Sequence, residues 1–466
     1  MIHYIVKLTM TREKNVKLSC FKAYDVRGRV PDELNEDLAF RIGQAFCAHV
    51  KPKQVVVGYD MRTSSPGLAN RLAQGITSAG AEVLDIGMCG TEEVYFATAS
   101  QAADGGIMVT ASHNPADYNG MKFVGRESRP IGSETGLQEI AQIVAEGIET
   151  ENTGQGSIRQ VNTRAQYIEH LLGYVEPSLI KPFKVVMNCG NGCAGPVVDL
   201  LEEKLPLRCI KLMGEPDGSF PNGVPNPLLP ENRASTARAV LEEEADVGIA
   251  WDGDFDRCFL FDEKGGFIEG YYLVGLLAQA ILATSSPGER IIHDPRLVWN
   301  TRETVTKAGG IPVMSRTGHA FIKKAMRDAD AVYGGEMSGH HYFREFSYCD
   351  SGMIPWLLIC QLMSQTGQPL SQMLEECINA YPVSGEINRI VDDPDEVIAR
   401  IETHYEDTGC EKDYTDGLSM SFDEFRFNVR KSNTEPVLRL NVESRGNRTL
   451  MEAKTEELLQ LIDGQF

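Results

Sequence analysis

Ser112 stands in Thr110-Ala111-Ser112-His113-Asn114-Pro115, directly after the apolar run Gly106-Ile107-Met108-Val109. The run predicts a short buried strand; Asn114-Pro115 predicts a break and Asn119-Gly120 a turn. A serine at a strand mouth, beside the His113 imidazole and near the Lys122 ammonium, has two readings. It turns the backbone, or it is a nucleophile that must be activated or must already carry a group. A second segment, Asp252-Gly253-Asp254-Phe255-Asp256-Arg257, spaces carboxylates at i, i+2 and i+4. An extended chain would point all of them to one side, where they repel unless a cation neutralises them. Oxygen donors suit magnesium or calcium rather than zinc. A trio of protein ligands leaves octahedral positions for water and a phosphate oxygen, which favours magnesium. An EF-hand counted from Asp252 fails, because its sixth residue is Arg257 rather than glycine and Cys258-Phe259-Leu260-Phe261 reads as a strand. An enzyme phosphorylated on Asp252 or Asp254, in the manner of an aspartate-nucleophile phosphatase, stays open from this segment alone.

Two more loops carry candidate groups. In Gly334-Gly335-Glu336-Met337-Ser338-Gly339-His340, the Glu336 carboxylate and Ser338 hydroxyl could bond neighbouring sugar hydroxyls; the alternative is a glycine-rich turn. Arg430-Lys431-Ser432-Asn433-Thr434-Glu435-Pro436 combines a guanidinium, hydroxyls and successive amides, as a phosphate cradle would, with Arg439 as a further cation. A basic surface hairpin has the same composition. Tyr24-Asp25-Val26-Arg27-Gly28 could bring Arg27 to Ser112, and Arg296 and His319 are candidate cations that also read as salt-bridged or surface residues.

The elements that must position these loops follow one cadence, repeated three times. Strands are expected at 55–57, 80–84 and 106–109, then at 185–187, 209–212 and 247–250, then at 291–292, 311–314 and 331–333. Helical stretches alternate with them, which implies α/β units on largely parallel sheets. Ligands gather at the carboxyl ends of such strands. The third strand of each copy ends in a chemically loaded loop: at Ser112, at Asp252 to Arg257, and at Glu336 to His340. Beyond Ala380 the pattern becomes alternating strands at 386–391, 418–422, 425–430 and 438–443, then a helix burying Leu450, Leu458, Leu461 and Ile462. Asp392 to Asp395 is a turn or helix start. The expected architecture is three similar α/β domains with mostly parallel mixed sheets, plus a smaller C-terminal α+β domain, around a central cleft. The expected boundaries are 1–160, 161–264, 265–378 and 379–466.

A chain of 466 residues is long enough for three or four domains. Its formal charge of −21 argues against nucleic-acid binding and requires a local cluster of cations for any anionic substrate. Eleven cysteines without Cys-x-x-Cys pairs read as reduced thiols. No run approaches the ~20 apolar residues of a membrane span. The first residues lack the flanks of a signal peptide. The expected compartment is the cytosol, and residues 1–18 read as dispensable, with Met10 an alternative start.

Taken together, residues 110–115, 252–257, 335–340 and 430–436 resemble the α-D-phosphohexomutases, in order, from about Cys20 to Ile462. Residues 21–28 and His293-Asp294-Pro295-Arg296-Leu297 are most similar to the bacterial phosphomannomutase branch, which supplies GDP-mannose synthesis. The resemblance implies interconversion of mannose 6-phosphate and mannose 1-phosphate, with phosphoglucomutase or dual specificity as the alternative. It implies a phosphorylated Ser112 and Mg2+ held by that phosphate with Asp252, Asp254 and Asp256. It also implies a hexose 1,6-bisphosphate intermediate that turns over in the site beneath a mobile C-terminal domain. His113, Lys122, Arg27 and Arg257 would steady the transferring group. His319, His340 and Lys122 are eligible as acid or base. Tyr24, Arg296, Glu336, Ser338 and His340 would bind the sugar; Arg430, Ser432, Asn433, Thr434 and Arg439 would bind the phosphate that stays. Arg296 stands where many family members carry lysine, and Met337 where amino-sugar mutases usually carry glutamine.

Overall fold

The computed structural model describes residues 18–147, 155–431 and 437–464. Its first three sheets share a plan. In the first, Glu82–Met88, Gln54–Tyr59 and Gly105–Val109 lie side by side in parallel, and Tyr118–Gly125 runs antiparallel beyond the last of them. In the second, the same order is Arg208–Leu212, Lys184–Asn188, Val247–Trp251 and the antiparallel Cys258–Phe261. In the third it is Ile311–Met314, Arg290–His293, Tyr333–Gly335 and the antiparallel His341–Phe343. The repeat is therefore one of topology, and each chemically loaded loop is the return from the third parallel strand to its antiparallel neighbour. The first sheet adds Val26–Arg29 and Ile158–Gln160 at its edges, and the third adds Cys349–Asp350. The last sheet is antiparallel throughout, in the order Ile387–Arg389, Leu438–Ser444, Phe425–Lys431, Leu418–Ser421 and Glu411–Asp413.

Three local expectations need correction. Asn119-Gly120 is not a turn: it lies inside the strand Tyr118–Gly125. The Asn119 amide donates to the Ser64 and Ser65 hydroxyls (2.8 and 2.9 Å). A Cβ on Gly120 would stand 2.2 Å from the Val26 carbonyl oxygen. The glycine is there for close strand approach, not for reversal. Asp252 to Asp256 is a turn rather than an extended run: the Phe255 amide bonds the Asp252 carbonyl (3.1 Å) and Phe255 has φ 45°. In the last helix, Arg448–Ile462, Met451 rather than Leu450 is buried beside Leu458, Leu461 and Ile462. Asp393 caps the helix Pro394–His404 by accepting from the Asp395 and Glu396 amides, as the acidic run before it suggested.

The cores do not divide as the repeats do. One continuous apolar cluster runs from Tyr167 and Val185 through Trp251 and Tyr271 to Trp356 and Tyr381, so the second and third units share a core. The first unit and the C-terminal unit each have a cluster of their own, and Met61, Tyr95 and Val124 of the first unit also join the shared one. All eleven cysteines are free thiols. Among the described residues no helix is long and apolar enough to cross a membrane.

Candidate active site

Ser112 is buried, and its backbone is left-handed at φ 51°. Such a conformation persists only when its surroundings hold it. Arg62, itself 1% exposed, does so with one guanidinium. Nη2 donates to the carbonyls of Ser112 (2.9 Å) and Asn114 (2.7 Å), and Nη1 to those of Pro115 (2.8 Å) and Tyr118 (2.9 Å). Asp60 faces the other side of Arg62, at 3.4 Å from Nε. Arg27 Nη1 adds bonds to the Ala111 carbonyl (3.1 Å) and to the Asn114 side chain, while its Nε bonds Asp25 (2.9 Å).

The second unit meets this loop directly. Ser112 Oγ donates to Asp252 Oδ2 at 2.6 Å. A Cβ on Gly253 would lie 2.7 Å from the Ser112 carbonyl oxygen, so the approach needs glycine. Arg257 forks onto Asp252 Oδ2 (2.9 and 2.7 Å), reaches Ser112 Oγ at 3.4 Å and bonds His113 Nδ1. Desolvation, with Arg257 and Arg27 alongside, holds His113 well below its ordinary range, so the ring is neutral. Its Nδ1 also lies 3.0 Å from Ser112 Oγ.

Lys122 sits on the acidic trio rather than on the serine. Its ammonium is 2.7 Å from Asp254 Oδ2 and 2.5 Å from Asp256 Oδ2. Burial alone would lower its pKa; the two carboxylates outweigh that and hold it above the ordinary value. Burial and the neighbouring Asp254 push Asp256 up to about 6. Each aspartate spends Oδ2 on protein donors and keeps Oδ1 buried without a hydrogen-bond partner. Acidic oxygens of all three lie within 4.8 Å of one another. Buried carboxylate oxygens without hydrogen-bond partners, on a cluster this close, fit a hard divalent cation.

The third unit supplies His340, whose Nδ1 is 2.9 Å from Asp350 Oδ2 and 3.9 Å from Asp256 Oδ1. Lys323 neutralises the other Asp350 oxygen at 2.6 Å. His319 stacks edge-on to Tyr24 at 5.7 Å and lies 6.3 Å from the His340 ring. Its Nδ1 has no partner, and desolvation with Lys323 nearby holds its pKa well below the ordinary range. Glu336 accepts from the Gly318 amide (2.8 Å) and the Tyr342 hydroxyl (2.6 Å). The Ser338 hydroxyl accepts from Arg296 at 3.3 Å.

Arg296 then joins the third unit to the C-terminal one. It bonds Asp294 (2.7 Å) and reaches Glu386 (3.2 Å), a carboxylate that also faces Arg439 (3.1 Å) and Arg430 (3.5 Å). Three guanidiniums share one buried carboxylate. Burial, then the neighbouring Arg296, lowers the Arg430 pKa. Asp416 also lies 3.8 Å from Arg430, so these arginines stand among carboxylates. Ser432, Asn433 and Thr434 lie outside the described residues, as do residues 1–17.

Sequence reasoning missed Arg62, Glu386, Asp350 and Lys323. The carbonyls that Arg62 holds are 50 or more residues away, Glu386 meets arginines 44 to 90 residues away and Lys323 meets Asp350 from a helix 27 residues away, and no local motif surrounds any of the four.

The chain matches the α/β/α domains I, II and III of the phosphoglucomutase/phosphomannomutase family at residues 19–151, 165–266 and 269–381, and the family's C-terminal domain at 386–460. This chain belongs to that family. The phosphomannomutase of Salmonella typhimurium is 58% identical to it over 454 residues, covering 96% of this chain and 99% of that protein. A phosphoglucomutase/phosphomannomutase family protein from Burkholderia thailandensis superposes with TM-score 0.86 at 31% identity, covering 96% and 98% of the two chains. The Aspergillus fumigatus N-acetylphosphoglucosamine mutase, solved with GlcNAc-6P and magnesium, shares the fold at TM-score 0.60 and 14% identity, covering 96% of each chain. The family membership makes this phosphohexomutase an isomerase working by phosphoryl transfer.

Proposed function

We propose that this phosphohexomutase interconverts mannose 6-phosphate and mannose 1-phosphate through a phosphorylated Ser112 and a hexose 1,6-bisphosphate. One observation carries the chemistry: Ser112 Oγ touches Asp252 where three aspartates each leave an oxygen unbonded. The substrate rests on the relatives named phosphomannomutase. Asp252, Asp254 and Asp256, with the phosphate on Ser112, would hold Mg2+. When bound, that ion neutralises charge on the moving phosphoryl group. Arg257 and Arg27 fix the serine loop and bring positive charge to it. Glu336, Ser338, Arg296 and Tyr24 orient the sugar, while Arg430 and Arg439 grip the phosphate that is not transferred. Of the groups eligible to move a proton, His340 is the one oriented by a buried carboxylate, Asp350. Lys122 is committed to two carboxylates. The same reading keeps the four-part division at 160, 264 and 378 and places the enzyme in the cytosol.

The test couples both directions of assay to phosphosite mapping. Mannose 1-phosphate should be turned over in preference to glucose 1-phosphate, and intact mass should show one phosphate on Ser112. Ser112→Ala should remove that phosphate and nearly all turnover. Phosphate trapped on Asp252 or Asp254 would replace the mutase reading with an aspartate-nucleophile phosphatase.

A further inference from the structure

The helix Thr91–Ser100 begins against the acidic loop, and its first residues reach two other units. Thr91, fully buried, donates its amide to the Asp254 carbonyl (3.0 Å) and its hydroxyl to Asp254 Oδ2 (2.5 Å). Glu92, next in the chain, accepts from Ser351 Oγ (2.9 Å), the Gly352 amide and the Tyr167 hydroxyl. Glu93 closes the helix start on the Gly90 amide (3.0 Å) and pairs with Arg164 (2.8 Å). A Cβ on Gly90 would stand 2.1 Å from the Phe255 ring, so the helix start is seated on the same turn that carries the aspartates.

This arrangement decides which oxygen of Asp254 is free. Oδ2 takes the Thr91 hydroxyl and the Lys122 ammonium; Oδ1, buried, takes nothing. We propose that Thr91 is a positioning residue for the divalent cation: its hydroxyl fixes the Asp254 carboxylate so that Oδ1 is presented to the ion. The inference rests on reading the three aspartates as the metal site. Lys122 also bonds Asp254 Oδ2, but it holds Asp256 as well and sits on a flexible stem, so it cannot fix the torsion of one carboxylate alone. Thr91 can, because the bond from its amide to the Asp254 carbonyl locks the backbone that carries its hydroxyl. Partners that orient a ligand from behind typically affect metal affinity 10–100-fold.

The experiment is a titration of Mn2+ alone into the full-length protein, read by the electron paramagnetic resonance of the free ion, with Asp252→Asn as control. Thr91→Val keeps the shape and removes the hydroxyl, and should weaken Mn2+ binding about 10–100-fold. Thr91→Ser keeps the hydroxyl and should bind close to wild type. In steady state, Thr91→Val should raise the Mg2+ concentration for half-maximal rate while leaving KM for the sugar phosphate in place. Thr91→Ala repeats the measurement with less bulk if the valine variant melts early. Unchanged affinity in Thr91→Val, or equal loss in the serine variant, would overturn the proposal. Wild-type protein that binds no Mn2+, or an Asp252→Asn variant that binds as well as wild type, would instead remove the metal-site reading beneath it.

Discussion

Arg62 shows how much of this site depends on groups that never meet the substrate. A buried guanidinium must recover its lost hydration through bonds, and here the backbone of the serine loop supplies four carbonyls. The planar fork suits this task and an ammonium does not. Arg62→Lys should therefore fold, keep KM, and lose kcat, because the loop that presents Ser112 slackens. Arg62→Met should do worse, since Asp60 is left buried beside no cation; breaking such a pair costs about 3–5 kcal/mol. Thermal unfolding beside single-turnover phosphoryl transfer separates the two effects. A lysine variant with full kcat would show that the loop holds its shape without the fork.

At the scale of elements, the recurring unit is three parallel strands and one antiparallel return, with the chemistry in the return loop. The packing between returns is tight enough that two glycines serve different ends. Gly120 lets the strand Tyr118–Gly125 pass close to Val26, and Gly253 lets the acidic turn rest on Ser112. Gly120→Ala should cost stability, about 1–3 kcal/mol as for other overpacked sites. Gly253→Ala should leave the melting temperature closer to wild type and reduce kcat by tenfold or more, since about 1 Å of misplacement is worth as much as 100-fold. If instead Gly253→Ala kept full kcat, the contact between the two loops would not be setting the geometry of transfer.

Across the whole molecule, the C-terminal unit is attached to the third through charged side chains as well as apolar contact. Arg426 donates to the carbonyls of Pro295 and Arg296, and Glu443 accepts from the Val298 amide (2.8 Å) and the Tyr271 hydroxyl. Glu386 holds Arg296, Arg430 and Arg439 at the same junction. Burial alone would raise the Glu386 pKa, but Arg296, Arg439 and Arg430 hold it below its ordinary value. Asp294 is likewise held low: its desolvation is outweighed by Arg296. A carboxyl depressed in the folded state stabilises above its unfolded pKa and loses that contribution as pH falls through the folded value. The melting temperature should therefore drop as pH is lowered through the region below about 4.5. Glu386→Gln should flatten that part of the curve, as scanning fluorimetry across pH 3–7 would show. An unchanged slope in the variant would mean that the junction is held by apolar packing alone.

The order of elements, the threefold cadence and the family were all written in local patterns, as were the serine loop and the acidic trio that the fold brings together. Strand periodicity, a Pro break after a strand and carboxylates at alternate positions each act over fewer than ten residues, so one stretch of chain carries them complete. What the stretch could not carry was which oxygen, which neighbour and which backbone. Asn119-Gly120 has the residues of a turn, yet pairing on both sides made it strand. Asp252, Asp254 and Asp256 converge through a turn with Phe255 left-handed, not through an extended run. Lys122 went to the carboxylates because three buried negative charges demand a counter-ion more strongly than a neutral hydroxyl does. Arg62, Thr91, Asp350 and Glu386 became part of the site only when strands and helices far apart in sequence closed around them. The chemistry was local and so legible; its aim was set by long-range packing, which only the folded chain decides.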